Sequence, residues 1–162
     1  MSDRRAAASF TWAETVGPDW VDYNGHMGDF AYAIAFSQTV TAYMEFIGLD
    51  EAYREKTAAT LYTLDLRIGY RRECHEGTAL QLTLHVLAAD AKRVHLYLEM
   101  HDAEGTLLAW NEQVLLHVTR ASGTPKASSF PDETRAHLAN GVSAASAILP
   151  IPHTSRPIGL GK

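Results

Sequence analysis

The stretch DYNGHMGDFAYAIAFSQTVTAYMEFIGL, Asp22 to Leu49, sets two unlike compositions side by side. Its opening, Asp22 to Asp29, gathers two acids, an amide, a histidine and two glycines. From Phe30 onward it is apolar almost throughout. Gln38, Thr41 and Glu45 recur at three- and four-residue spacing, a single narrow polar stripe that Ser37 and Thr39 only widen. That pattern predicts a helix buried on most of its sides, with Gly48 placed to end it. A helix of this kind needs something wrapped around it, and the flanking sequence has to supply the wrapping.

Residues 10–16 read as a short first strand, and Glu51 to Lys56 as a short second helix. Beyond them come four runs with a period of two, as expected of half-buried strands. In LYTLDLRIGYR the apolar positions are Tyr62, Leu64, Leu66, Ile68 and Tyr70; in ALQLTLHV they are Leu80, Leu82, Leu84 and Val86. RVHLYLEMH places Val94, Leu96, Leu98 and Met100 on one face, and LLAWNEQVLLHV does so with Leu108, Trp110, Val114, Leu116 and Val118. The connections HEG, AADAK and DAEGT are turn-like, so neighbouring strands are expected to pair antiparallel. The economical solution is an α+β fold: a five-stranded antiparallel sheet wrapped around one long buried helix, with further copies of the chain covering what one sheet leaves open. Residues 9–120 form this domain. Residues 1–8 are expected to be disordered, and 121–162 to be a C-terminal extension with a short helix in FPDETRAHLAN, Pro131 in its first turn, and an extended tail.

A chain of 162 residues suits one domain with a sizeable core. Its formal charge of −5 argues against general nucleic-acid or anionic-membrane binding. The single cysteine, Cys74, rules out an intrachain disulfide and points to a reducing, cytoplasmic compartment. MSDRRAAASF lacks the apolar run of a signal peptide, and no segment is long enough to span a bilayer.

The buried helix, the strand order and DYNGHM directly ahead of the helix together resemble the hotdog-fold acyl-CoA thioesterases, in the branch of 4-hydroxybenzoyl-CoA thioesterase, over residues 10–119. Within that branch, WVDYNGHM, LYTLDLRIGY, DAKRVH and LLHV are most similar to the betainyl-CoA thioesterases of carnitine breakdown. The resemblance implies that Asp22 is the nucleophile or general base, with the Gly28 and Asp29 amides polarising the thioester carbonyl. The chemistry agrees. Thioester hydrolysis needs a carboxylate to attack or to activate water, and a helix N-terminus offers free N–H groups to the developing oxyanion. One departure is Gly28, which stands where such thioesterases carry Asn after the Met.

The same residues offer other candidates. Asn24 and His26 would orient water or the thioester oxygen, with fixing the loop as the competing role. Glu112 interrupts the apolar parity of its strand; a carboxylate facing the core would hold helix-entry amides or His26, or act as a second acid. A trimethylammonium acyl group calls for aromatic faces and a nearby acid, for which Trp20, Tyr23, Tyr62 and Trp110, with Asp65 or Glu112, are the candidates. Arg67, Arg71, Arg72, Lys92 and Arg93 cluster at strand ends and suit the phosphates of coenzyme A. Coenzyme A is part of the substrate, and no further cofactor is expected. His85 and His95 are expected to be cross-strand neighbours on an exposed face, without the third ligand a metal needs. The expected partners are an acyl-CoA and further copies in a homodimer or homotetramer, with no nucleic acid and no membrane. The rival readings are a hotdog hydratase, a non-catalytic acyl-CoA-binding protein, and a structural partner subunit with no use for the loop acid.

Overall fold

The computed structural model describes residues 9–151; the expectations for residues 1–8 and for the end of the tail fall outside that span. The long helix, α1, runs Asp29–Phe46. Its small residues Ala31, Ala35 and Thr39 recur every fourth position and are fully buried, which lets the axis settle close to its neighbours. Tyr32, Phe36, Val40, Tyr43 and Met44 flank that stripe and are buried too. The Thr39 hydroxyl, the polar atom in the stripe, donates to Ala35 O at 2.9 Å. Gly48 ends the helix as expected: with φ at +87° it lets its own amide reach Glu45 O and the Leu49 amide reach Met44 O, the paired bonds of a Schellman turn. A short helix, α2, spans Glu51–Thr57, with Asp50 capping the Tyr53 amide.

The strands are β1 Phe10–Thr15, β2 Ala59–Tyr70, β3 Ala79–Ala89, β4 Arg93–His101, β5 Leu107–Thr119 and the two-residue β6 Lys126–Ala127. The sheet order is β1-β3-β4-β5-β2, with β6 beside β5, and every pairing is antiparallel. This is the expected hotdog arrangement, with α1 packed against β1 and β3. Leu82, Leu96, Leu98 and Met100 are fully buried on the helix side, each such side chain stabilising the fold by roughly 1.5–3 kcal/mol. A third helix, α3, runs Asp132–Ala145, longer than the sequence suggested. It buries Leu138 in the main core, and Thr134 donates to Ile47 O at 2.9 Å.

Three expectations need correction. The strands β2 and β3 are consecutive but do not pair: β2 lies at the edge beyond β5, opposite β1. The link between them crosses the end of the sheet, where the Arg71 and Arg72 amides both donate to Leu108 O. Second, β2 has a bulge between Thr63 and Asp65, so its even positions do not share one face. Tyr62 pairs with Leu116 on the outer side, whereas Leu66, Ile68 and Tyr70 pair with Gln113, Asn111 and Ala109 on the helix side. Third, the apolar parity of β5 faces outward. Ala109, Asn111, Gln113 and Leu115 sit opposite the core residues Met100, Leu98, Leu96 and Val94, which leaves Trp110, Glu112, Val114 and Leu116 on the outer face. Trp110 belongs to a separate small cluster with Tyr97, Leu87 and Ile151. The sheet is therefore covered on both sides here, which removes the half-buried premise of the alternation.

Candidate active site

The chain enters α1 through a tight loop built by Asp22. Val21 and Met27 form an isolated bridge, and the Asp22 amide donates to His26 O at 2.8 Å. Gly25 turns the chain at φ +78°, a conformation that favours glycine. The Asp22 carboxylate closes the loop from inside: its Oδ1 accepts the Asn24 amide at 2.8 Å and the His26 amide at 3.4 Å. Asp22 therefore caps its own loop rather than the helix, whose N-cap is Gly28. Its Oδ2 engages no group among the described residues.

At the helix start, the Gly28 amide is already taken, donating to Trp20 O at 2.8 Å. The Phe30 amide is held by the Asp29 side chain at 2.9 Å. Of the two amides expected to polarise a carbonyl, only that of Asp29 lacks an acceptor among the described residues. Gly28 is explained by Phe30, whose ring lies over it: a Cβ there would stand 2.5 Å from Phe30 Cε1. Tyr70 donates to Asp29 O at 3.3 Å and meets Tyr32 edge-on, centroids 5.3 Å apart.

The loop is braced by residues that cross from β2 to β3: Cys74, read from the sequence only for its redox state, and Glu73 and His75, which the sequence reading left out. Cys74 is buried, its carbonyl accepts the Met27 amide at 2.8 Å and its thiol touches Met27 Sδ at 3.5 Å. Glu73 Oε2 stands 3.3 Å from His26 Nδ1, and His75 Nδ1 donates to Gly25 O at 3.2 Å. The signal was the alternation in ECHE, an acid and a histidine on either side of an apolar anchor. Burial pushes the Tyr32 and Cys74 groups up from their ordinary values, and burial followed by the Asp29 charge does so for Tyr70. All three are uncharged near neutrality.

The remaining candidates do not converge on this loop within one protomer. Trp20 and Tyr23 lie at the entrance, Trp20 packed on the core and Tyr23 almost fully exposed. Tyr62, Asp65, Arg67, Trp110 and Glu112 line the outer face of β2 and β5. Glu112 does not reach His26; its Oε1 is 2.8 Å from His95 Nε2. His85 and His95 are not opposite one another either. A bulge between Val86 and Ala88 sets His85 opposite Tyr97 and His95 opposite Ala88. Arg71 and Arg72 are exposed at the entrance end of β2, whereas Lys92 and Arg93 sit at the β3–β4 turn, the opposite end of the sheet. There Arg93 is neutralised by Asp90 at 2.6 Å. Hydrogen bonds from the Lys92 amide and the Arg93 side chain lower the Asp90 carboxyl to about 2. A groove of about 660 Å³ runs between this turn and α3, but its charges are satisfied locally, Arg135 pairing with Asp132. Among the described residues, no group of three or more potential ligands is arranged for a metal.

The arrangement that remains is a carboxylate with one open oxygen, a histidine, and a free amide at the positive end of a long helix, all within one short loop. Comparison with known proteins bears on the same region. The model of the Thioesterase-like superfamily matches residues 16–138. A betainyl-CoA thioesterase from Pseudomonas aeruginosa is 35% identical over 152 residues, covering 93% of this chain and 94% of that protein. An L-carnitine dehydrogenase/betainyl-CoA thioesterase from Rhizobium meliloti is 40% identical over 124 residues, 76% of this chain but only 24% of that longer protein. Among solved structures, a hypothetical protein from Staphylococcus aureus in complex with CoA superposes with a TM-score of 0.86 at 29% identity, covering 94% of this chain and 96% of that one.

Proposed function

The chain belongs to the thioesterase-like superfamily, and from that membership we propose that it is an acyl-CoA thioesterase hydrolysing betainyl-CoA to betaine and free coenzyme A in carnitine breakdown. The observation that carries the reading is similarity to a betainyl-CoA thioesterase along nearly the whole length of both chains. The entrance supports the chemistry. Asp22 Oδ2 attacks the thioester carbonyl or takes a proton from water, while the Asp29 amide and the α1 dipole hold the oxyanion. A trimethylammonium would meet the exposed aromatic rings of Phe30 and Tyr70, both of which contact Asp29. Arg71 and Arg72, exposed just beyond β2, would receive the phosphates of coenzyme A. No cofactor beyond the coenzyme A of the substrate is called for.

The working unit is a homodimer or a tetramer built from it. β2 is a 12-residue edge strand on which Leu64, Leu66 and Tyr70 are about half exposed, and Phe30 and Ile34 of α1 are exposed as well. A second copy along this edge covers an apolar strip that water otherwise meets. Among the described residues no helix is long and apolar enough to cross a membrane. Cys74 is a free, buried thiol, in keeping with a cytoplasmic site of action.

The test is thiol release from betainyl-CoA and from 3,3-dimethylbutyryl-CoA, which has the same shape without the charge. A higher kcat/KM for the cationic substrate supports the reading. Equal rates keep the thioesterase and remove betaine from it. Absence of thiol release from these and from other short acyl-CoAs removes the enzyme and favours an acyl-CoA-binding role.

A further inference from the structure

The segment between β2 and β3 carries an acid and a histidine on either side of Cys74, and both reach the entrance loop. His26 Nδ1 stands 3.3 Å from Glu73 Oε2. The His75 ring lies against the His26 ring, centroids 4.8 Å apart and planes tilted by 58°. Because His75 Nδ1 faces the Gly25 carbonyl at 3.2 Å, and a carbonyl only accepts, that nitrogen carries a proton. The titratable groups facing His26 are thus Glu73 and His75 from the crossing segment and Asp22 from its own loop, whose Oδ1 accepts the His26 amide.

A carboxylate oxygen 3.3 Å from Nδ1 favours a proton on that nitrogen, so the tautomer of His26 that suits Glu73 is Nδ1–H. In the neutral ring the lone pair then lies on Nε2, and no described residue occupies it. We propose that Glu73 is a positioning residue: it holds His26 as the Nδ1–H tautomer so that Nε2 takes the proton of the water that completes hydrolysis. The proposal rests on the thioesterase reading and divides the work of the loop between two groups. Asp22 Oδ2 bonds to the thioester carbon, the C–S bond breaks, and the thiolate of coenzyme A leaves and takes a proton from solvent. Water then adds to the acyl carbon of the resulting anhydride while its proton passes to His26 Nε2. The bond to Asp22 breaks, restoring that carboxylate and releasing the acid, and His26 returns the proton to solvent. A base oriented by a third group beside a nucleophile is a recurring solution for acyl transfer.

Glu73 is mostly exposed and its removal should leave the fold intact, which circular dichroism checks. Rapid-mixing thiol release from betainyl-CoA, or from the best substrate found, is compared for wild type, Glu73→Ala and Glu73→Gln. In Glu73→Ala, kcat falls roughly 10- to 100-fold while a burst of thiol equal to the number of sites remains, because acylation does not need the base. Hydroxylamine, which attacks an anhydride without help from a base, restores turnover. Glu73→Gln, whose amide oxygen still accepts Nδ1–H, keeps most of the activity. Unchanged kcat in Glu73→Ala overturns the proposal, as does loss of the burst together with turnover, or an equal loss in Glu73→Gln. A wild type inert toward every acyl-CoA overturns the thioesterase reading and this proposal with it.

Discussion

Asp22 divides its carboxylate between two tasks, Oδ1 holding the loop through two amides and Oδ2 left open to chemistry. Asparagine separates them. In Asp22→Asn the amide oxygen still accepts from Asn24 and His26, so the loop keeps its shape, but the open position becomes a nitrogen without a nucleophilic lone pair. Thiol release should fall at least about 100-fold, while a non-hydrolysable acyl-CoA, titrated by calorimetry, binds as before. Loss of binding along with rate would make Asp22 a structural residue only. A second histidine acts on stability instead. His117 is buried between Tyr53 Oη at 2.9 Å from its Nε2 and Ser128 O at 2.9 Å from its Nδ1. Burial lowers its proton affinity, opposed in part by Ser128, and burial does the same to His85 against the opposing charge of Glu99. With folded values below unfolded ones, both rings contribute their full stability above about pH 6.5. As pH falls through that value the unfolded chain binds protons that the folded chain does not, so stability declines. Urea midpoints measured from pH 8 down to pH 5 should fall, and His117→Gln should flatten that slope at the cost of a lower midpoint near neutrality. At this scale the sequence supplied the groups that are neighbours along the chain, Asp22 to Asp29. The ECHE alternation hints at Glu73 and His75 but does not place them, because contact between them and the loop is made by the way the chain crosses the sheet.

The elements were found where the alternation and the apolar helix placed them, and the errors concern which way a face points. Tyr62 and Leu66 share a parity in the sequence, but the bulge at Leu64 turns one outward and the other inward. No local signal marks that extra residue. In β5 the more apolar parity faces out, because Tyr97 and Ile151 cover it, while the polar parity faces in and satisfies itself: Gln113 donates to Asn111 Oδ1 at 2.6 Å, and Asn111 donates to Arg67 O at 3.0 Å. A strand buried on both sides loses the contrast by which its orientation is read. The outer packing leaves a test in Gly69, which faces Trp110 across the β2–β5 ladder. A Cβ on Gly69 would stand 2.1 Å from the indole Nε1 and Cε2. The ring is buried and lies near Tyr97, with centroids 6.5 Å apart, so it has little room to swing away. Gly69→Ala should cost about 1–3 kcal/mol in chemical denaturation, with tryptophan emission shifting toward that of an exposed indole. A neutral result would mean that the outer cluster repacks freely and that the inverted parity of β5 carries little energy.

In the molecule as a whole, the sheet ends at β1 on one side and at β2 on the other, and a single protomer leaves the β2 edge open. That edge combines length with half-exposed Leu64 and Leu66. Natural edges that remain solvated are usually short, charged or covered, whereas this one is long and greasy along its middle. It also runs beside the site. Tyr70 at the end of β2 holds the first carbonyl of α1, so a second copy along β2 would wall the acyl entrance as well as cover the edge. Leu66→Lys sets a charge in the middle of that strip, where a lone protomer can keep it in water but a paired one must bury it. Light scattering on the wild type should give a multiple of the 17.8 kDa chain, and on Leu66→Lys the single-chain mass, with circular dichroism unchanged. An interface large enough to be stable buries at least about 1,000 Å², so thermal unfolding should also become lower and independent of concentration in the variant. If assembly and entrance are coupled in this way, thiol release falls with the mass even though Leu66 lies four positions along β2 from Tyr70. A variant that is monomeric and fully active would instead show that each protomer carries a complete site and that the edge serves assembly alone.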